Sequence, residues 1–132
     1  MSILVTDTGF GADDWTNDPE AGPSLDIGPD TDPDGLVTTL SALSMIRVDF
    51  PSFADGRGFT IARRLRRLGY HGRLRAHGHV LADQYAMARR AGFDEVEIDD
   101  DLARRQPQDQ WLARADWRAH DYQSRLRGPS PA

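Results

Sequence analysis

The stretch that decides the fold is Met-Ile-Arg-Val-Asp-Phe at residues 45–50, where apolar and charged side chains alternate until Pro51. The chain then passes through Asp-Gly-Arg-Gly at residues 55–58 and enters an amphipathic segment at Phe59. Strict alternation predicts a β-strand, and the apolar spacing of the next segment predicts a helix. This junction is therefore the strand-to-helix turn of a βα unit.

The residues of the junction suit a small oxyanion. The two glycines allow close approach of the backbone, the arginine between them is a forked donor, and the following helix directs unpaired N–H groups to the same place. We therefore predict a ligand-binding loop formed by Asp55, Gly56, Arg57 and Gly58. The alternative is a plain turn with left-handed glycines and a solvated arginine.

The same βα rhythm repeats along the chain from residue 25. The pattern predicts strands at residues 25–27, 45–50, 73–77 and 95–99, and helices at 33–43, 59–68 and 80–91. Such connections predict parallel strands with sequential neighbours. The fold class is therefore α/β: a single domain with a parallel sheet and helices on one face, either two-layered or resembling part of a β/α barrel.

Two of the helix ends carry the same stop signal. Each has two arginines, one further residue, a glycine and then an aromatic residue, with the glycines at Gly69 and Gly92. Glycine in the left-handed region ends a helix, and the aromatic residue packs back on its last turn. We expect both helices to end at these positions.

The strands leave one charged face, and we look for chemistry there. Asp49 is the candidate catalytic base, because it lies near the carboxyl end of its strand, where ligands collect in open α/β folds. Arg75 on the next strand is predicted to pair with Asp49 and to contact an anion; the alternative is a purely structural ion pair. His77 and His79 are too weak a pattern for a metal site, so none is predicted.

Two further segments have both a structural and a functional interpretation. Asp83 and Gln84 lie in the first turn of their helix, where a carboxylate complements the helix dipole, and we include both as ligand-binding candidates. The segment 110–127 spaces Trp111, Ala115, Tyr122 and Leu126 along one helical face. This face docks either on its own domain or on a partner.

The charge is unevenly distributed. Residues 1–46 hold nine carboxylates and no arginine, whereas residues 47–132 hold all sixteen arginines against twelve carboxylates. We predict a loosely held acidic arm at 1–23, an α/β domain at 24–127 and a disordered tail at 128–132. The arm either lies against the basic body or contacts a basic partner.

Four blocks of the sequence resemble a small bacterial family of unknown biochemical function: residues 49–59, 69–76, 80–84 and 92–94, with an echo at residues 122–123. Its members are labelled as oxidoreductases of sulfite reduction, because their genes lie beside that of sulfite reductase. The resemblance thus implies a pathway and not a reaction. The chain departs from the family pattern at His79, where Asp is usual, and at Ala91, where many members have Cys.

The composition limits the function. There is no cysteine, so thiolate chemistry and thiolate metal sites are excluded, and no cofactor motif is present, so we predict no cofactor. The acidic net charge of −5 disfavours nucleic acid, no apolar run has the length of a membrane span, and the cytoplasm is the expected location.

Two functions remain, and the question of whether the protein is an enzyme stays open between them. The first is an accessory protein of assimilatory sulfite reduction that binds a small oxyanion or the reductase, with self-association left open. The second is a small α/β enzyme that acts on an anionic substrate, with Asp49 as the base and Arg57 and Arg75 as charge stabilisers.

Overall fold

The computed structural model describes residues 2–15, 18 and 20–120, and it contains one six-stranded sheet with its helices. The strands are β1 (Ser2–Thr6), β2 (Gly9–Ala12), β3 (Ser24–Ile27), β4 (Met45–Phe50), β5 (Arg73–Gly78) and β6 (Glu95–Asp99). The α-helices are α1 (Arg57–Arg67), α2 (Tyr85–Ala91), α3 (Asp100–Arg105) and α4 (Gln108–Leu112). Short 3-10 helices cover Pro33–Leu36, Leu40–Ala42, Ala82–Gln84 and Trp117–His120.

The strand order is β2-β1-β6-β5-β4-β3. Strands β3 to β6 are parallel and neighbours in sequence order, as the βα rhythm predicts. The hairpin β1–β2 adds two antiparallel strands beyond β6. The sheet is therefore open, with β2 and β3 as its edge strands, and the α/β class predicted from the sequence is confirmed.

A single hydrophobic core lies on one face of this sheet. Alternate residues of the central strands, such as Val48, Leu74 and Val96, are fully buried there. All four α-helices contribute to the same core, for example through Leu65 of α1 and Trp111 of α4. Trp111 is buried, so α4 docks on its own domain; positions 121–127 of the predicted C-terminal helix, and the predicted tail, lie outside the described residues.

The predicted stop signals are confirmed. Gly69 and Gly92 have φ angles of 98° and 115°, in the left-handed region. The amide of the following residue donates to a carbonyl five residues back, in the bonds Tyr70 N to Leu65 O (3.0 Å) and Phe93 N to Ala88 O (3.1 Å). These are the hydrogen bonds of the Schellman motif, which satisfy the last carbonyls of a helix.

Two predicted helices are shorter than their apolar patterns suggested. The segment 33–43 forms two 3-10 turns, and Val37 is 51% exposed. The segment 80–91 includes a 3-10 turn at Ala82–Gln84, so the α-helical register starts at Tyr85. Tyr85 is buried, and Met87 is exposed. A 3-10 helix has three residues per turn, so it shifts the buried face of the α-helix that comes after it.

The predicted acidic arm contributes to the sheet. Residues 2–12 form β1 and β2, with Leu4 and Val5 buried, and β1 lies between β2 and β6. The next three residues cross the charged face of the sheet. The arm therefore lies against the basic body, the first of the two alternatives open from the sequence.

Candidate functional site

The charged face of the sheet is an internally paired network of arginines and carboxylates. Arg75 is completely buried; its guanidinium donates to Glu95 (Nε–Oε2, 2.6 Å), Glu97 (Nη1–Oε1, 2.8 Å) and Asp13 (Nη1–Oδ1, 3.0 Å). Asp14 accepts a fourth bond from Arg75 at 3.1 Å. Three arginines and five carboxylates make up this network: Arg47, Arg73, Arg75, Asp13, Asp14, Asp26, Glu95 and Glu97.

The network changes the pKa of Glu97, one of its two buried carboxylates. Burial acts to raise the pKa of Glu97, but the hydrogen bonds from Arg75 and Arg47 outweigh it and hold that pKa below its ordinary value. Glu97 is therefore ionised and matched by cations within the protein. Glu97 also lines a pocket at the end of the sheet.

This pocket opens at the carboxyl ends of β4 and β5, with a volume of about 360 Å³. Open α/β sheets bind ligands at this edge. Its polar lining includes Asp49, His77 and Asp99, and its apolar lining includes Phe53 and Leu102. The edge predicted from the sequence is therefore the edge that carries the pocket.

His77 lies between two of the three carboxylates of the pocket, Asp49 and Glu97. Its Nδ1 lies 3.5 Å from Oδ1 of Asp49, and its Nε2 lies 3.4 Å from Oε2 of Glu97. The strand register produces this row, since Asp49 is opposite His77 and His77 is opposite Glu97. The three side chains are held in line by backbone pairing.

The predicted Asp49–Arg75 pair is wrong. The register places Arg47, and not Asp49, opposite Arg75, while Asp49 lies opposite His77. Arg75 is enclosed by its four carboxylates, so a ligand in the pocket does not reach it. Of the three residues that the enzyme hypothesis used, only Asp49 lines this pocket.

Glycine is required at the rim of the pocket. Gly78 has a φ angle of 113°, and a Cβ there would lie 2.8 Å from the carbonyl oxygen of Phe50. That carbonyl accepts a bond from the His79 amide at 2.9 Å, and the His79 ring lies edge-on to Phe53 at a centroid distance of 5.0 Å. The close approach of Gly78 and His79 to the end of β4 therefore shapes the pocket wall.

The predicted oxyanion loop contains its own anions. The Arg57 guanidinium donates to both oxygens of Asp55 at 3.0 and 2.7 Å, and also to Asp30. The Arg57 amide donates to the same Asp55 at 3.1 Å. These bonds lower the pKa of Asp55, beginning with the guanidinium contact. A small anion at this loop has to compete with two carboxylates of the protein.

The glycines of this loop are not left-handed. Gly56 has a φ of −93°, and the positive-φ glycines of the described chain do not include Gly58. A Cβ on Gly58 would overlap the Phe50 ring, whereas a Cβ on Gly56 would meet nothing closer than 3.9 Å. Gly58 is therefore required by packing of α1 on β4.

The structure gives Asp83 and Gln84 separate structural contacts. Gln84 caps its helix, because its Oε1 accepts from the Leu81 amide at 2.9 Å, and its Nε2 donates to the Phe53 carbonyl at 3.3 Å. Asp83 is exposed and pairs with Arg114 at 2.9 Å. Gln84 thus supports the pocket wall from behind, and Asp83 lies on the surface.

A second concave surface, which the sequence did not single out, lies between α1 and residues 29–33. It has a volume of about 430 Å³ and is lined by one isoleucine, two prolines, two threonines and four arginines: Ile61, Pro29, Pro33, Thr31, Thr60, Arg57, Arg63, Arg64 and Arg67. Arg57 and Arg64 are paired with aspartates. Arg63 and Arg67 are exposed, and no carboxylate in the described part of the chain pairs with them. We call this surface the α1 groove.

Two absences apply to the described residues. Among them, no group of three or more His, Asp or Glu side chains is arranged to hold a metal ion. The helices that the structure describes include none that is long and apolar enough to cross a membrane.

The fold and the pocket define a small α/β protein with a mixed six-stranded sheet and a ligand-sized cavity at the carboxyl edge of its parallel strands. The chain belongs to the DUF934 family, bacterial proteins of unknown function, whose family model matches residues 24–132. The matched range begins at β3, so the hairpin β1–β2 lies outside it. No curated protein and no solved structure matches the chain. Membership in a bacterial family of unknown function is thereby confirmed, and the link to sulfite reduction stays a prediction.

Proposed function

We propose that this protein is an accessory protein of sulfite reduction in sulfur assimilation, and that it acts by binding the sulfite reductase. The pathway rests on the resemblance of residues 45–99 to proteins encoded beside that enzyme. The observation that supports a protein partner is the α1 groove, with Arg63 and Arg67 exposed and unpaired among the described residues.

The existing ion pairs of the arginines favour the reductase over a free oxyanion as the binding partner. Arg57 and Arg75, the two guanidinium groups expected to bind a small anion, already hold carboxylates of the protein. A free anion gains little at a guanidinium that is already neutralised, because it first has to displace an intramolecular partner. Arg63 and Arg67 have no such competitor, but two exposed cations are a weak site for a single small ion in water.

The shape of the α1 groove fits a segment of protein better. Its lining combines Ile61, Pro29 and Pro33 with four arginines, so apolar and cationic groups lie in one concave surface. Protein interfaces combine apolar contacts with arginine, which is enriched there relative to the rest of the surface. We therefore expect the groove to receive an acidic segment of the reductase that carries an apolar side chain.

The experiment is a binding measurement between the purified protein and sulfite reductase of the same organism. Arg63→Glu with Arg67→Glu should weaken binding at least about tenfold, mostly through slower association, and the wild-type affinity should fall with added salt. The matched control is Arg104→Glu with Arg114→Glu, which makes the same charge change at exposed arginines outside the groove. The control should change the affinity less than about threefold.

The possible results separate the partner from the surface. If the wild-type protein does not bind the reductase, the proposed partner is rejected. If both double variants weaken binding equally, the α1 groove is not the docking surface. A rise of Tm with sulfite that Arg57→Ala abolishes would instead restore the oxyanion interpretation of the 55–58 loop.

A further inference from the structure

The pocket at the carboxyl edge has two kinds of lining residue. Its apolar lining residues are Pro51, Phe53, Ile98 and Leu102. Its polar lining includes Ser2, Asp49, His77, Glu97 and Asp99. A concave site with an apolar surface and a few convergent polar groups is the usual form of a small-molecule site, and its volume of about 360 Å³ is at the low end of that class.

The cations near the pocket are engaged elsewhere. Arg47 donates to Asp26 and Glu97, and Arg75 is enclosed within the buried network. Arg105 lines the pocket, but its guanidinium pairs with Asp101 at 3.0 Å. Each of these three guanidinium groups therefore already has a carboxylate partner within the protein.

The open charged group of the pocket is a carboxylate. The Asp49 side chain is 51% exposed, and its one charged contact within the described residues is His77 at 3.5 Å. Asp99 uses Oδ1 to cap α3 through the Leu102 amide at 2.8 Å, which leaves its other oxygen for another donor. The adjoining ion network, of which Asp14 and Asp26 are exposed members, adds five carboxylates against three guanidinium groups. The potential at the pocket therefore favours a cation.

We infer that this pocket binds a small organic cation, a protonated amine carried on an apolar body. The ammonium group would donate to Asp49, and the apolar body would lie against Phe53 and Leu102. This inference does not depend on the proposed docking of the reductase, because the α1 groove and the pocket share no lining residue.

The test uses three probes of the same shape and different charge: phenethylamine, 2-phenylethanol and 3-phenylpropionate. Titrations followed by heteronuclear NMR give both the affinity and the position of binding. Phenethylamine should bind best, with the largest shifts at the amides of Gly78 and His79, and 3-phenylpropionate should bind least.

Asp49→Asn keeps the shape of the side chain and removes its charge. It should weaken phenethylamine binding about tenfold, because the ammonium loses a charge-assisted hydrogen bond, and it should leave 2-phenylethanol unchanged. Asp109→Asn, an exposed aspartate on α4 outside the pocket, is the control and should have no effect. Equal phenethylamine affinity in Asp49→Asn and wild type, stronger binding of the carboxylate probe, or no binding of the amine at millimolar concentration would each overturn the inference.

Discussion

Substitution of Arg75 by methionine tests the interpretation of the charged face as a buried network. Methionine replaces a completely buried guanidinium by a flexible apolar chain, so Glu95 and Glu97 stay buried and lose a shared cation. Breaking a buried ion pair by removing one partner costs about 3–5 kcal/mol. Arg73 still bonds Glu95 at 2.8 Å and Arg47 still bonds Glu97 at 3.1 Å. We therefore expect the low end of that range, about 3 kcal/mol of unfolding free energy.

The loss should depend on pH. In the wild type the pKa of Glu97 is depressed on folding, so its contribution is present above the unfolded pKa and is lost as the pH falls through the folded pKa. Without Arg75, fewer cations oppose the effect of burial on Glu97. Burial then raises the pKa of Glu97 in the folded variant above its unfolded value. The variant then loses stability as the pH rises through that raised pKa, so the difference from wild type should be smaller at pH 5 than at pH 7.

The assay is urea unfolding at both pH values. Arg104→Met, at an exposed arginine of α3, is the control and should stay within about 0.5 kcal/mol of wild type. Adding Glu97→Gln to Arg75→Met should restore part of the stability, because it removes the uncompensated charge. A loss below about 1 kcal/mol, or an equal loss at pH 5 and pH 7, would refute the reasoning.

Three other predictions concern the junction, the N-terminal segment and α2. Gly58→Ala should destabilise the protein by about 1–3 kcal/mol, because its Cβ would overlap the Phe50 ring. Gly56→Ala, whose Cβ would meet nothing closer than 3.9 Å, should be neutral in the same urea assay. Equal effects would contradict the packing argument. Tyr85→Phe should cost about 1 kcal/mol, because the buried hydroxyl donates to Asp7, and an unchanged Tm would count against that bond. The amides of β1 should exchange slowly with deuterium, since β1 is paired on both sides. Fast exchange there would support the prediction of a loosely held N-terminal arm.

Much of the architecture could be predicted, because strand alternation and helix-capping residues are visible within short stretches of the sequence. The bounds of β4 and β6 match the predicted strands at 45–50 and 95–99, and both left-handed glycines end their helices where expected. Alternation and helix capping depend on neighbours within a few residues. Parallel order followed from the same patterns, because βα connections allow few topologies. The segment 33–43 shows the limit, since its apolar spacing also fits two 3-10 turns.

The candidate site was only partly predictable. The carboxyl edge and Asp49 followed from the strand directions, but neither Glu97 nor Phe53 was expected to line a pocket. Arg63 and Arg67 were not expected to line a groove, because nothing local indicated that residues 29–33 would lie beside them.

By itself the sequence determined the alternating strands, the helix ends and the existence of one charged sheet face, because each depends on residues close together in the chain. Only the tertiary structure decided which arginine pairs with which carboxylate. The bonds of Arg75 join it to Glu95, 20 residues later, and to Asp13, 62 residues earlier. Those pairings depend on the lateral register of β4, β5 and β6 and on the path of the segment after β2 across the face. A shift of register by a single residue would exchange the two faces of a strand, and therefore the choice between an anion site and a buried ion network was made by the packing of the whole sheet.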